Sequence, residues 1–285
     1  MAESVTVFEV GPRDGLQNEK RPIATRDKIE LAERLTACGF RKIEVASFVD
    51  PRRVPQMADG SDVIAGMRRA PSCSYSALVP NMRGYERARM ANIDEIAVFA
   101  SASEGFSRAN INCSINESLE RFRPVIDAAQ ADGIPVRGYV SCVALCPYDG
   151  STPPAAVAGV TQALLEMGCY EVSLGDTTGK AGPAAIRRML DAVLVIADPS
   201  RLAGHYHDTG GQALANVEVS LELGLRTFDS AVGGLGGCPF APGAPGNLAS
   251  EALVRRLDEL GFHTGIDRTR LADTADFARH LGNGT

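Results

Sequence analysis

Short runs of β-branched and apolar residues alternate with amphipathic helical stretches along almost the whole chain. The runs predict strands at 5–10, 42–46, 73–79, 95–100, 135–141, 170–174, 201–207 and 226–231. Helical periodicity follows them at 25–38, 59–69, from about 82, from about 116, at 152–167, 183–197, 209–223 and from about 248. This alternation predicts parallel strands joined by right-handed crossovers, and it constrains the fold more than any other feature.

Eight strand–helix units within 285 residues favour a closed (β/α)8 barrel, the TIM-barrel member of the α/β class. We expect one catalytic domain over 1–285, with the barrel over about 5–262 and a helical tail over about 267–285. An open doubly wound sheet is the alternative. The usual nucleotide signatures of such sheets are missing, because segment 175–181 departs from the phosphate-loop pattern and the glycines at 233–237 lack the dinucleotide spacing.

Overall charge and hydropathy limit the partners of the chain. A net charge of −6 and a pI near 5.3 argue against nucleic acid or an anionic membrane surface as a partner. No apolar run reaches the roughly 18 residues of a membrane span, and the N-terminus enters a strand without a signal or transit peptide. We therefore expect a cytoplasmic protein that acts on a small molecule.

The cysteines do not predict a structural framework. There are seven of them, an odd number that argues against paired disulfides. Cys142 and Cys146 form a C-x3-C pair, but no second cysteine or histidine pair lies nearby in the sequence to complete a zinc site. We expect most cysteines to be small core residues.

The segment 204–216, GHYHDTGGQALAN, contains two of the four histidines, His205 and His207. Residues two apart on a strand point to the same side, so both imidazoles would face one space at the end of the seventh predicted strand. Neutral imidazole is a common metal ligand. Two interpretations remain open from this segment alone: a divalent-metal pair, or two hydrogen-bonded histidines at a surface turn.

Polar residues also follow the other predicted strands, at the rim where barrels of this type carry their chemistry. They are Arg13, Asp14, Gln17, Glu44, Ser47, Ser101, Glu104, Tyr139, Ser141, Ser173 and Asp176. Asp14 and the two histidines give an oxygen and nitrogen ligand set compatible with Mg²⁺ or Mn²⁺, with zinc as an alternative. Arg13 could hold a carboxylate, or a thioester or enolate oxygen; the alternative is a surface ion pair with Asp14.

The segment 233–247, GGLGGCPFAPGAPGN, is too rich in glycine and proline to form a regular element. We expect it to be an active-site flap. Cys238 lies in its middle, where a thiol is more often reactive than on a core strand, although its role as nucleophile or proton donor is open. Asn247 ends the segment, either as the N-cap of the next helix or as an additional oxygen ligand of the metal.

Eight motifs, in order along nearly the whole chain, together resemble the 3-hydroxy-3-methylglutaryl-CoA (HMG-CoA) lyase family. They are GPRDGLQNE, IEVASFVDP, VPQMAD, NINCSI, GYVSC, SLGDTTG, GHYHDTGGQALAN and GLGGCPFAPGAPGNLA. The resemblance implies a (β/α)8 barrel with a bound divalent metal, Mg²⁺ or Mn²⁺, that cleaves HMG-CoA to acetyl-CoA and acetoacetate. It also suggests a homodimer or a larger homo-oligomer.

The resemblance assigns roles to individual residues. Asp14, His205, His207 and Asn247 match the metal ligands of the family, Arg13 matches the arginine that steadies the thioester enolate, and Cys238 matches a loop cysteine that exchanges a proton with the product carbanion. Asp14 or His205 would take the hydroxyl proton. The remaining predicted site residues are an acidic residue, Glu44, and substrate-binding positions, Gln17, Ser47, Tyr139, Ser173 and Asp176.

Two positions depart from the family pattern. Gly211 stands where tyrosine usually follows the HDT motif, and Lys180 stands where a small apolar residue is common. Both are expected near the pocket, so the acyl group could be that of a related 3-hydroxyacyl-CoA. The alternative functions are a Claisen-type transferase that condenses acetyl-CoA with a keto acid, an aldolase of the same superfamily, and a barrel without catalytic activity.

Overall fold

The computed structural model describes residues 3–19, 21–236 and 246–281, and a closed parallel barrel forms the centre of this part of the chain. The strands are β1 (Thr6–Glu9), β2 (Lys42–Ser47), β3 (Ser74–Leu78), β4 (Glu95–Ser101), β5 (Val136–Ser141), β6 (Leu145–Cys146), β7 (Gly150–Ser151), β8 (Glu171–Asp176), β9 (Leu202–Tyr206) and β10 (Thr227–Ser230). All but β6 and β7 form the barrel in sequential order, and β10 pairs with β1 to close it. The predicted (β/α)8 TIM barrel is confirmed.

Helices follow the barrel strands and cover the outside of the barrel. They are α1 (Thr25–Cys38), α2 (Gly60–Gly66), α3 (Met82–Met90), α4 (Glu104–Ile111), α5 (Ile115–Ala131), α6 (Pro154–Met167), α7 (Pro183–Val193), α8 (Ala213–Glu222), α9 (Ser250–Glu259) and α10 (Arg268–His280). The C-terminal helix that the sequence predicts is α10, whose N-cap Asp267 accepts hydrogen bonds from two backbone N–H groups. Among the described residues, no helix has the length and apolar character needed to cross a bilayer.

Several elements differ from the sequence predictions, among them the short strands β6 and β7 and two helices near the barrel mouth. The structure adds α4 above the barrel, where Ser103 caps the helix by accepting a hydrogen bond from the Phe106 backbone. The helix predicted from residue 209 begins four residues later, at Ala213. Gly211 has a φ of +67° within an intervening turn, and the Asp208 carboxylate accepts a hydrogen bond from the Ala213 N–H.

The main apolar core lies between the barrel strands and the surrounding helices, whereas much of the barrel interior is polar. Arg137 on β5 is fully buried inside the barrel. Its guanidinium forms ion pairs with Glu171 on β8 and Asp229 on β10, each with an N–O distance of 2.7 Å. Removing one member of such a set leaves an uncompensated buried charge, so these groups depend on one another.

Glu9, at the end of β1, joins three segments on the outer side of the barrel. One carboxylate oxygen accepts hydrogen bonds from the backbone N–H groups of Gly11 (2.8 Å) and Val232 (2.9 Å). The other accepts one from the Ser250 hydroxyl at 2.5 Å. Burial outweighs these hydrogen bonds and raises the pKa of Glu9 to about 7.

Replacing Glu9 with glutamine is expected to stabilise the protein above neutral pH. The amide oxygen of glutamine can accept both backbone hydrogen bonds, and its nitrogen can donate to Ser250. Because the folded-state pKa of Glu9 lies above the unfolded value, the stability that its protonation contributes is lost as pH rises from about 4.5 to about 7. The unfolding free energy of Glu9→Gln relative to wild type should therefore rise by about 2 kcal/mol between about pH 5 and about pH 8.

Urea denaturation at the two pH values measures this difference. Glu30→Gln is the matched control, because Glu30 is exposed and forms an ion pair with Arg34 on the same helix. If the difference in unfolding free energy between Glu9→Gln and wild type is the same at both pH values, the Glu9 carboxyl titrates normally in the folded state.

Candidate active site

A tight π-helical turn over Gly11–Gly15 follows β1 and places Arg13 and Asp14 at the barrel mouth. The backbone N–H groups of Arg13, Asp14 and Gly15 all donate to the Val10 carbonyl. The two glycines allow close packing here. A Cβ atom at Gly11 would lie 2.6 Å from a Glu9 carboxylate oxygen, and one at Gly15 would lie 2.7 Å from the Leu235 Cβ. The turn sequence therefore determines where Arg13 and Asp14 project.

Arg13 is buried between two carboxylates. Its Nε donates to Glu44 Oε2 on β2, and its Nη1 donates to Asp14 Oδ1 at 2.7 Å. Burial disfavours the charged guanidinium, but Glu44 and Asp14 outweigh burial and raise the pKa of Arg13. Burial also raises the pKa of Glu44, in spite of Arg13. The surface ion-pair interpretation of Arg13 and Asp14 is wrong, because the Arg13 side chain is only 7% exposed.

Asp14, His205 and His207 come together at the mouth of the barrel. One ligand atom from each lies within 4.8 Å of the other two. His205 Nε2 lies 4.0 Å from Asp14 Oδ2, and the centroids of the two imidazole rings are 5.3 Å apart. The histidines therefore face a common space with a carboxylate, as expected for residues i and i+2 at a strand end.

The protonation of Asp14 and His207 suits a cation. Burial would raise the pKa of Asp14, but the charges of Arg13, His205 and His207 lower it to about 2. Burial lowers the pKa of His207 to about 4. Its Nδ1 is buried and has no hydrogen-bond partner among the described residues. A neutral imidazole with an unpartnered nitrogen beside an ionised carboxylate fits a divalent-metal site.

Asn247, the last residue of segment 233–247, also reaches this site. Its side-chain Nδ2 donates to Asp14 Oδ2 at 2.8 Å and to the Leu235 carbonyl at 3.2 Å. Its backbone pairs with that of His207 in an antiparallel bridge. The interpretation of Asn247 as a helix N-cap is wrong, because α9 begins at Ser250 with Ala249 as its N-cap.

A cavity of about 780 Å³ opens above these residues. Seven of the predicted rim and site residues line it: Arg13, Asp14, Gln17, Tyr139, Ser141, His205 and His207. Gln17 donates from Nε2 to Asp14 Oδ1 at 3.1 Å. Tyr139 contacts His205 edge to face, with 6.2 Å between ring centroids, and the Arg13 guanidinium lies 5.7 Å from the Tyr139 ring centroid.

Besides Asn247, four other predicted site residues are buried and do not line this cavity: Glu44, Ser47, Ser173 and Asp176. Glu44 holds Arg13, and Ser173 donates to Asp229 at 2.7 Å. The Asp176 carboxylate accepts hydrogen bonds from the Thr178 hydroxyl and the Ala181 N–H, and burial raises its pKa. These contacts shape the neighbouring strands and loops; direct contact of the four residues with substrate stays a prediction.

Three further sequence predictions concern Cys238, Gly211 and Lys180. Cys238 lies outside the described residues. Gly211 and Lys180 are exposed and do not line the cavity, and their closeness to the pocket stays a prediction. The two loops that carry them pair with each other through a hydrogen bond from the Gly210 N–H to the Gly179 carbonyl.

Two charged residues beneath His205 were not among the predicted site residues. Asp229 on β10 lies 3.1 Å from His205 Nδ1, and Arg137 on β5 binds the other side of the same carboxylate. Burial raises the pKa of Asp229, but Arg137 and His205 outweigh it and hold that pKa well below its usual range. A charged residue within each predicted strand, in RTFDSA and PVRGYVS, was the available signal.

Comparisons with known proteins agree on one family. A family model described as HMGL-like matches residues 4–278. A Pseudomonas aeruginosa 3-hydroxy-3-isohexenylglutaryl-CoA/hydroxy-methylglutaryl-CoA lyase is 55% identical over 96% of this chain and 91% of its own length. The crystal structure of a Brucella melitensis HMG-CoA lyase superposes with a TM-score of 0.98 at 60% identity, covering 99% of this chain and 100% of the other.

A more distant solved structure is an Acinetobacter baumannii HMG-CoA lyase in complex with coenzyme A and 3-methylmalate. It superposes with a TM-score of 0.93 at 37% identity, covering 98% of this chain and 92% of the other. The similarity extends over the whole barrel in each case.

Proposed function

The chain belongs to the HMGL-like family, and on that basis we propose that it is a divalent-metal-dependent carbon–carbon lyase that cleaves HMG-CoA to acetyl-CoA and acetoacetate. The observation that carries the proposal is the convergence of Asp14, His205 and His207 beside the buried Arg13 in one cavity. A carboxylate and two imidazoles offer ligands for a cation, and the guanidinium offers a partner for a developing oxyanion.

Asp14, His205 and His207 would hold Mg²⁺ or Mn²⁺, with Asn247 as a further predicted ligand. When bound, such a cation polarises oxygen atoms and acidifies a coordinated hydroxyl group. The proton of the substrate C3 hydroxyl then has one candidate acceptor among these residues, a carboxylate oxygen of Asp14, because His205, the other base that the sequence suggests, would use its Nε2 lone pair to hold the cation. As the proton leaves, the hydroxyl oxygen forms a ketone and the neighbouring C–C bond breaks.

Arg13 would stabilise the electrons that this cleavage places on the thioester. Its Nε and Nη1 already bind Glu44 and Asp14, and no hydrogen bond links Nη2 to another described residue. Nη2 is therefore the donor available to the enolate oxygen, in a buried setting where a charge-assisted hydrogen bond is strong. Protonation of the methylene carbon completes acetyl-CoA. The family resemblance gives that role to Cys238.

The direct test is an assay of the purified chain with HMG-CoA and Mg²⁺ or Mn²⁺. We expect acetoacetate and acetyl-CoA in equal amounts, and complete loss of the reaction when a chelator removes the metal. Release of free CoA from acetyl-CoA and a keto acid, without HMG-CoA cleavage, would favour the transferase instead.

The same assay can define the acyl group. The Pseudomonas aeruginosa relative is named as a lyase of 3-hydroxy-3-isohexenylglutaryl-CoA as well as of HMG-CoA, so a substrate with a longer C3 substituent should be compared with HMG-CoA. An acyl-CoA is the proposed partner class. Assembly as a homodimer or larger homo-oligomer, and a cytoplasmic location, remain predictions from the sequence.

A further inference from the structure

Asp229 is a buried carboxylate that the proposed mechanism does not use. Its Oδ2 accepts a hydrogen bond from the Ser173 hydroxyl at 2.7 Å and lies 3.1 Å from His205 Nδ1. Arg137 donates to both of its oxygens, from Nη2 at 2.7 Å and from Nη1 at 3.1 Å. The residue is 3% exposed, so every one of these contacts is shielded from water.

These contacts determine whether Asp229 or His205 carries the proton of the hydrogen bond between them. The Arg137 guanidinium always carries its charge, and a buried carboxylate held by both arms of such a group is stable as the anion. An ionised carboxylate can only accept hydrogen bonds. The proton between Asp229 Oδ2 and His205 Nδ1 must therefore belong to the imidazole, which leaves the lone pair of the neutral ring on Nε2. That nitrogen faces Asp14 Oδ2 at 4.0 Å.

We propose that Asp229 is a positioning residue for His205: it fixes the Nδ1–H tautomer and the ring orientation, so that the Nε2 lone pair points into the cavity as a ligand. The inference deepens the proposed function and rests on its cation site. Carboxylates that bind the second nitrogen of a ligating histidine in this way orient the ring and increase its affinity for metal. Arg137 links this pair to the cavity wall, because its Nη1 also donates to the Tyr139 hydroxyl at 3.1 Å.

The tautomer can be observed in the wild-type protein without metal. We expect the side-chain ¹⁵N signals of His205, recorded in alkaline buffer where the ring is neutral, to show a protonated Nδ1 and an unprotonated Nε2. The sequence has four histidines, so the spectrum of His205→Asn identifies the signals of His205 by their loss. A proton on Nε2 of the wild-type ring would overturn the proposal, whatever the behaviour of any Asp229 variant.

Metal affinity provides the second readout, with a matched pair of variants. Asp229→Asn and Glu171→Gln each remove one carboxylate partner of the buried Arg137, but only Asp229 contacts His205. We expect Asp229→Asn to weaken Mn²⁺ binding, measured by electron paramagnetic resonance, by about 10- to 100-fold. Glu171→Gln should change it by less than about twofold, with a similar loss of thermal stability.

Equal Mn²⁺ affinity in the two folded variants would contradict the positioning role. If Asp229→Asn does not fold, the wild-type tautomer still decides the matter. Neither readout depends on HMG-CoA cleavage, so a failure of the proposed reaction remains distinguishable from a failure of this inference.

Discussion

Replacing Arg13 with glutamine is expected to lower kcat for HMG-CoA cleavage by about 10³-fold while leaving Mn²⁺ affinity nearly unchanged. The guanidinium is a cationic donor at the cavity wall beside the predicted metal ligands, and glutamine supplies neither its charge nor its fork of N–H groups. Losing a preorganised donor to a developing oxyanion typically costs about 10²- to 10³-fold in kcat. Loss of the charge adds to that effect.

The folding of Arg13→Gln must be measured separately, because the substitution leaves the fully buried Glu44 without its ion-pair partner. Thermal melting and Mn²⁺ binding should accompany the kinetic measurement. Arg52→Gln is the matched control, since Arg52 is 89% exposed and pairs with Asp50 outside the metal site. A kcat of Arg13→Gln within about tenfold of wild type would mean that Arg13 does not stabilise the transition state.

Replacing Asp14 with asparagine is expected to weaken Mn²⁺ binding by about 10²-fold. When the metal concentration is limiting, the rate of HMG-CoA cleavage should fall by a similar factor. Asp14 is the only carboxylate in the described three-residue ligand group, and Mg²⁺ and Mn²⁺ both prefer anionic oxygen. The substitution also removes a charge that partners Arg13. Mn²⁺ titration followed by electron paramagnetic resonance measures the affinity directly.

Asp50→Asn is the matched control for Asp14→Asn. Asp50 lines the same cavity but forms its ion pair with the exposed Arg52. Both substitutions remove one negative charge from the cavity wall, so a general electrostatic effect would appear in both. Wild-type Mn²⁺ affinity in Asp14→Asn would exclude Asp14 as a ligand.

The barrel could be predicted because the same strand and helix pattern is repeated along the sequence. Each strand is a short apolar run, each is followed by helical periodicity, and sequential parallel pairing allows few other arrangements. The positions of Arg13, Asp14, His205 and His207 follow from the same logic, because parallel strands place their carboxyl ends on one face. The structure brings these four residues together as the sequence predicts.

Other features depend on contacts that no local pattern encodes. Arg137 and Asp229 lie 92 residues apart in the chain and meet only inside the closed barrel. Asp176 carries the same strand-end signature as the cavity residues, yet its side chain turns to the backbone of its own loop. Strand position predicts that a side chain lies near the mouth, but the register and twist of the barrel decide which way it faces.

Anomalous diffraction from crystals soaked in Mn²⁺ would show whether one divalent cation binds at the barrel mouth. We expect a single strong anomalous peak within about 2.5 Å of an Asp14 oxygen, His205 Nε2 and a His207 ring nitrogen. A peak elsewhere, or none at these residues in protein that still cleaves HMG-CoA, would contradict this expectation.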